Sequence, residues 1–109
     1  WHCGLTKEQS SEIEKVQKRC LRLIFPNLSY SNALQLAGLE RLTERRERAA
    51  HALFQEIKRP NHILHNLLQS KDKNETKINT RNQYPFRIPR PKTSRLSRSL
   101  IVYGLIKRW

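Results

Sequence analysis

The sequence predicts an all-α protein: a small bundle of three to four helices, followed by a basic, partly extended tail that ends in a short helix. Two observations indicate helices: apolar residues recur at helical spacing in the first 69 residues, and glycine occurs only 3 times. A third observation sets the tail apart, because the prolines at positions 85, 89 and 91 exclude a helix there. With 109 residues, the chain can hold one small domain at most.

The first predicted helix begins at a capping box formed by Thr6 and Gln9. It ends before Pro26, since the residue that precedes a proline resists the helical conformation. Its apolar side chains repeat at helical spacing and form one stripe: Ile13, Val16, Cys20, Leu23 and Ile24. Because the helical module is small, we expect its exposed apolar faces to dock on a larger partner or on the remainder of its own chain.

Two more helices are predicted before position 60. Ser29 is expected to cap a short helix over Tyr30–Ala37, and Gly38 to close it in the left-handed conformation. Thr43 is the expected N-cap of a third helix. Its inward face is predicted to consist of Ala50, Leu53, Phe54 and Ile57. Its outward face carries three candidate phosphate contacts, Arg41, Arg45 and Arg48, although a charged helix face of this kind can also be merely solvated.

The rest of the chain divides by composition. A fourth short helix is predicted to cover one end of the core with Ile63, Leu64, Leu67 and Leu68. These helices make residues 1–69 one helical module. Residues 70–83 are predicted to be a flexible linker, since positions 70–77 contain no apolar side chain. Residues 84–109 form the basic, proline-containing tail, with a last short helix within 97–107.

Charge is the most informative property of the composition. The chain carries 22 basic and 9 acidic side chains, a net charge of +13. Residues 70–109 contain 11 of the basic and only 2 of the acidic side chains, so their net charge is +9. Such an imbalance predicts a polyanionic partner, most often nucleic acid.

The tail combines this charge with aromatic rings. Its candidate nucleic-acid contacts are Arg81, Tyr84, Phe86, Arg87, Arg90, Lys92, Arg95 and Arg98. Arginine binds phosphate in a bidentate manner, and aromatic rings can stack on unpaired bases. The alternative interpretation is a solvated tail in which Phe86 and Ile88 only pack on the helices.

The sequence contains no pattern typical of a catalytic, cofactor or metal site. No nucleophile–base set, glycine-rich phosphate loop or paired-aspartate motif can be assembled, so we expect no catalysis by this chain and no cofactor. His62 and His65 have no further ligands at zinc-site spacing, so no metal is expected.

No apolar run is long enough to span a bilayer. An amphipathic basic helix could also lie on an anionic membrane, but the wide polar faces and the lack of a Trp/Phe-rich apolar side disfavour this, so no membrane partner is expected. Two cysteines without a signal peptide favour an intracellular protein, in the nucleus or cytoplasm. Because the chain begins at Trp1 rather than Met, we expect it to be a segment of a longer protein.

Several motifs, taken in order, resemble the segment that follows the polymerase domain in reverse transcriptases of non-LTR (LINE-like, jockey-type) retrotransposons. They are residues 1–6 and 13–26, then Ser29, Tyr30, Ala33, Leu34, Gly38, Leu39, Leu42, residues 44–47, His62, Leu64, His65, Leu67, Leu68, Phe86, Pro89, Thr93, Arg95, Ser99 and Tyr103. The chain departs from the family at Pro91, Leu96 and Leu100, where relatives often carry Cys, Phe and Phe.

The resemblance implies a helical extension of an RNA-directed DNA polymerase that touches template RNA or target DNA. The polymerase active site is not in this sequence, so no catalytic residue can be transferred to it. Besides nucleic acid, the resemblance implies the remainder of a polymerase chain as a partner. Two other interpretations remain: a structural element that docks on the polymerase body, or a decayed retroelement remnant with no independent function.

Overall fold

The computed structural model describes residues 2–69 and 84–109. Within those residues the chain forms α-helices and no β-strand, which confirms the all-α prediction. The helices are α1 (Lys7–Ile24), α2 (Tyr30–Ala37), α3 (Leu42–Ile57), α4 (Ser94–Ser97) and α5 (Leu100–Lys107), with 3₁₀ turns at His2–Gly4 and His65–Leu67. The predicted linker over residues 70–83 lies outside the described residues.

Local signals set the ends of α1 and α2 as predicted. The Thr6 hydroxyl accepts the backbone N–H of Gln9 at 3.2 Å, and the Gln9 side chain accepts the N–H of Thr6 at 3.0 Å, which completes the capping box. The Ser29 hydroxyl accepts the N–H of Asn32 at 3.4 Å. Gly38 ends α2 with a φ of 66°, a left-handed conformation that suits glycine.

The start of α3 differs from the prediction. Arg41, not Thr43, is the N-cap, and no side chain caps the helix. The Thr43 hydroxyl instead lies 3.4 Å from the Ser10 hydroxyl of α1, and the Arg46 guanidinium donates to Ser10 at 2.8 Å. A tertiary contact between α1 and α3 therefore takes the hydroxyl that the sequence assigned to capping.

The predicted apolar stripe of α1 is not the face that this helix buries. Leu21 is its buried apolar residue, and it packs with Ala33 and Leu34 of α2. Val16 and Leu23 of the stripe are 65% and 79% exposed. Periodicity identifies an apolar stripe, but it does not say whether another helix covers that stripe.

The predicted fourth helix over residues 63–68 is reduced to a single 3₁₀ turn, His65–Leu67. Leu68 is buried as expected, whereas Ile63 is 88% exposed. The turn is held by the His65 ring, whose Nδ1 lies 3.0 Å from the backbone oxygen of Ile57 at the end of α3. An apolar run this short does not distinguish a helix from a folded turn.

The main hydrophobic cluster joins α3 to the C-terminal helix. Phe54 and Ile57 of α3 are fully buried, and they pack with Leu68 and with Leu105 of α5. Trp109 sets its ring edgewise against Phe54, with the ring centroids 6.0 Å apart. The predicted terminal helix is thus a core element.

The contact between α3 and α5 depends on Gly104. A Cβ atom at this position would lie 2.4 Å from Cδ2 and 2.6 Å from Cε2 of the Phe54 ring. Both distances are far below van der Waals contact, so α5 can approach Phe54 this closely only through a residue without a side chain.

We expect Gly104→Ala to lower the free energy of unfolding by about 1–2 kcal/mol. Alanine is the better helix former by about 1 kcal/mol, but overpacking a rigid buried ring typically costs about 1–3 kcal/mol, and the clash should exceed the helical gain. Gly4→Ala is the matched control, because a Cβ there meets nothing within 4 Å. Urea denaturation of both variants measures the difference, and equal stabilities would contradict the packing argument.

Candidate nucleic-acid interface

Two exposed cationic surfaces contain most of the basic residues that the sequence predicted as contacts. The first, called the α3 cleft, is a depression of about 480 Å³ lined by Gln17, Gly38, Leu39, Glu40, Arg45 and Arg48. The second, called the arginine segment, consists of the exposed cations Arg87, Arg90, Lys92, Arg95 and Arg98. Arg81 lies outside the described residues.

The frame of the α3 cleft is the turn between α2 and α3. The side-chain amide of Gln17 in α1 donates to the backbone oxygen of Glu40 at 3.1 Å. The backbone N–H of Leu39 donates to the oxygen of Leu34 at 2.9 Å, which closes the end of α2. Three helices therefore fix the backbone from which the arginines of α3 project.

Tyr30 ties α2 to α1 beneath this turn. Its hydroxyl donates to the carboxylate of Glu14, and the Gln17 amide donates to the same hydroxyl at 3.4 Å. Burial, helped by the hydrogen bond to Glu14, raises the pKa of Tyr30 from 10.0 to about 12. The neutral phenol is therefore the form that the folded chain prefers.

The predicted arginines of α3 lie on one helix face, but their surroundings differ. Arg41 places its guanidinium 5.9 Å from the centroid of the Tyr30 ring. Arg48 forms an ion pair with Glu40, and 72% of its side chain is exposed. Arg45 is exposed at the wall of the cleft. The α3 cleft is therefore lined by two guanidinium groups, those of Arg45 and Arg48, and by the carboxylate of Glu40.

The Glu40–Arg48 pair was not predicted. The two residues are eight positions apart, across the turn that begins α3, so no helical spacing relates them. A carboxylate competes with phosphate for the same guanidinium. Lys18 and Arg22 lie on the exposed basic side of α1. They line a third cleft of about 320 Å³ with Ser29 and Tyr30, among others.

The arginine segment leaves the core at a defined point. The backbone N–H of Arg87 donates to the oxygen of Gln69 at 2.9 Å, and Arg87 and Arg90 line a cleft of about 660 Å³ with Gln69, Ile88 and Pro89. Arg95 lies in α4 and Arg98 caps the end of that helix. As predicted, the proline-rich part is not helical, and its cations point into solvent.

The two aromatic candidates have packing partners within the protein. Tyr84 and Phe86 are half-buried against the main cluster, with their ring centroids 5.9 Å apart. The Tyr84 hydroxyl donates to the backbone oxygen of Trp109 at 3.3 Å, and burial raises the pKa of this phenol. The Phe86 ring meets His65 edgewise at 6.4 Å. These rings anchor the arginine segment to the fold.

Over residues 2–69 and 84–109, no group of three or more potential ligands could hold a metal ion. Among the helices of those same ranges, none has the length and apolar character required to cross a membrane. Comparisons with protein-family models, curated proteins and solved structures found no match to this chain.

Tyr30→Phe should destabilise the chain by about 1 kcal/mol near neutral pH, because it removes the hydrogen bond to Glu14. The folded-state pKa of Tyr30 is raised, so the stabilisation is complete below pH 10 and is lost as the pH rises toward about 12. The stability difference between the wild type and the variant should therefore shrink over that range. Denaturant titrations across this range test the effect, and a constant difference would contradict it.

Glu40→Gln should strengthen binding of single-stranded RNA by a few-fold at low salt, because Arg48 loses its carboxylate partner. Glu8→Gln is the control: it removes the same charge from the exposed first turn of α1, away from the α3 cleft. Fluorescence anisotropy titrations measure both affinities. Equal gains for the two variants would show that only net charge matters and that the cleft makes no contact.

Proposed function

We propose that this chain is a non-catalytic segment that binds nucleic acid through the arginine segment, with the α3 cleft as a second contact. One observation carries the proposal: residues 84–109 contain 7 basic and no acidic side chains. The five cations of the arginine segment are exposed, while the residues on either side are packed against α3. A row of cations held in this way suits a phosphate backbone.

The arrangement favours phosphate contacts over base readout. Tyr84 and Phe86 pack against the core, whereas the five cations of the arginine segment are exposed. Contacts to phosphate position a protein on nucleic acid but carry no sequence information. We therefore propose binding to RNA or DNA without sequence specificity through this segment.

The resemblance to non-LTR retrotransposon reverse transcriptases extends this proposal. In that setting the chain would follow the polymerase domain and hold template RNA or target DNA, in the nucleus or cytoplasm, while the rest of the polymerase performs the chemistry.

A second candidate is a structural role as a docking element on the polymerase body. The observation that favours it is the exposed apolar side of α1, where Leu23 is 79% and Val16 and Ile24 are each 65% exposed. Apolar surface that is left open on a small protein often marks an interface. The two roles are compatible, since the cations and this surface involve different residues.

The triple substitution Arg87→Ala, Arg90→Ala and Arg95→Ala tests the principal proposal. We expect weaker binding of a single-stranded RNA or DNA oligonucleotide. We also expect the slope of log K against log salt to fall by about 2, since each lost phosphate contact on a single strand removes about 0.7. Anisotropy titrations at several salt concentrations measure both quantities.

A matched control removes three exposed cations elsewhere: Lys7→Ala, Lys15→Ala and Arg59→Ala. The control should keep most of the affinity and the slope. If the two triple variants lose affinity equally, binding reflects net charge alone and the arginine segment is not the contact site. Affinity that is unchanged in the Arg87, Arg90 and Arg95 variant would reject the proposal outright.

A further inference from the structure

The outward side of α1 carries a row of aliphatic residues that we call the α1 stripe. It consists of Val16, Cys20, Leu23 and Ile24, which recur at the spacing of one helix face. Val16, Leu23 and Ile24 are 65%, 79% and 65% exposed, and Cys20 is a free, exposed cysteine. The inward side of α1 is separate, since Leu21 meets α2 there.

The stripe is comparable in size to the core that α1 helps to form. Leu21 is the residue that α1 contributes to that core, beside Ala33 and Leu34 of α2, whereas Val16, Leu23 and Ile24 of the same helix are each at least 65% exposed. Complete burial of one such side chain contributes about 1.5–3 kcal/mol. A partner that covered three of them could gain enough to bind with measurable affinity.

The charges beside the stripe indicate the partner's chemistry. Arg19 and Arg22 lie along one edge of the stripe in the C-terminal half of α1, and both are exposed. Lys15, on the same edge, forms an ion pair with Glu12 at 2.6 Å. Neither ion pair found among the described residues includes Arg19 or Arg22. An aliphatic stripe bordered by two available guanidinium groups is complementary to an amphipathic helix with carboxylates on its edge.

We propose that the α1 stripe is the docking site for an acidic amphipathic helix of a partner protein. This inference rests on the docking role proposed above and names the partner's chemistry. The partner's aliphatic residues cover Val16, Leu23 and Ile24, and its Glu or Asp side chains pair with Arg19 and Arg22.

Two other occupants fit less well. A second copy related by a twofold axis through the middle of the stripe, near Cys20, brings Arg19 of each copy close to Arg19 of the other, and both copies carry a net charge of +13. An anionic membrane suits a helix with aromatic residues and cations along its whole length. The N-terminal half of α1 instead carries Glu8, Glu12 and Glu14.

Binding is tested by titrating the full 109-residue chain into a fluorescent peptide and following its anisotropy. The peptide has about 20 residues, which is long enough to form a helix, with leucines on one face and glutamates along the edges of that face. A second peptide replaces every glutamate by lysine. We expect saturable binding of the glutamate peptide and none of the lysine peptide.

Val16→Ser with Leu23→Ser should weaken binding by about tenfold or more. Ile63→Ser with Leu67→Ser, at exposed positions outside α1, should leave it unchanged.

Charge reversal separates the docking surface from general attraction. Arg19→Glu with Arg22→Glu should abolish binding of the glutamate peptide and permit binding of the lysine peptide. Far-ultraviolet circular dichroism of each variant confirms that the helices are intact. The proposal is overturned if the glutamate peptide does not bind, if the serine variant of α1 binds it as well as wild type, or if charge reversal leaves the preference unchanged.

Competing occupants have outcomes of their own. A dimer in analytical ultracentrifugation that disappears in the Val16 and Leu23 variant would overturn the proposal in favour of self-association. Binding to phosphatidylserine vesicles that depends on the same two residues would overturn it in favour of a membrane. The serine variant removes no cation, so its oligonucleotide affinity should match wild type, and a failure here leaves the nucleic-acid proposal to its own test.

Discussion

The contact between Phe54 and Gly104 is the constraint on which the placement of the C-terminal residues depends. It brings α5 onto α3, and α5 in turn places Trp109 where its backbone oxygen accepts the Tyr84 hydroxyl at 3.3 Å. The arginine segment therefore starts and ends on the same hydrophobic cluster. Because a packed core holds both ends of this segment, the segment has fewer conformations available than a free tail. Binding of a polyanion would therefore cost less conformational entropy.

A second, polar junction organises the other half of the molecule. Gln17 contacts both Tyr30 and the backbone of Glu40, so one side chain of α1 links the start of α2 to the turn before α3. The apolar part of this half is small, since Leu21, Ala33 and Leu34 are its buried residues. Directional hydrogen bonds thus supplement a modest core, and they also hold the backbone of the α3 cleft.

The sequence predicted what short-range signals control. Ser29 and Gly38 cap the two ends of α2, and the capping box of Thr6 and Gln9 begins α1. These ends were predictable because each capping signal acts within one helical turn. Longer-range choices were missed. Nothing near Gly104 reveals that it faces Phe54, fifty positions earlier. The stripe of Val16 and Leu23 has the same periodicity as a core face, so only the observed packing shows that α2 covers Leu21 instead.

For the candidate interface, sequence identified the exposed arginines, since charge places them at the surface. It could not identify Glu40 as the partner of Arg48 or the contact of Tyr84 with the core. The packing of Phe86 on the helices was an alternative interpretation of the sequence, and the structure shows that packing.

The attachment of the arginine segment at both ends has a thermodynamic consequence. A ligand that recognises cations spaced by this packing binds the folded chain and has less affinity for the unfolded one, so occupancy and folding are linked equilibria. A polyanion present at a hundredfold excess over its dissociation constant would add about 2.7 kcal/mol to the folded state. For a chain with so small a core, that increment is a sizeable part of what a domain of this length usually has. Binding of the polymer and folding of the chain would then reinforce one another.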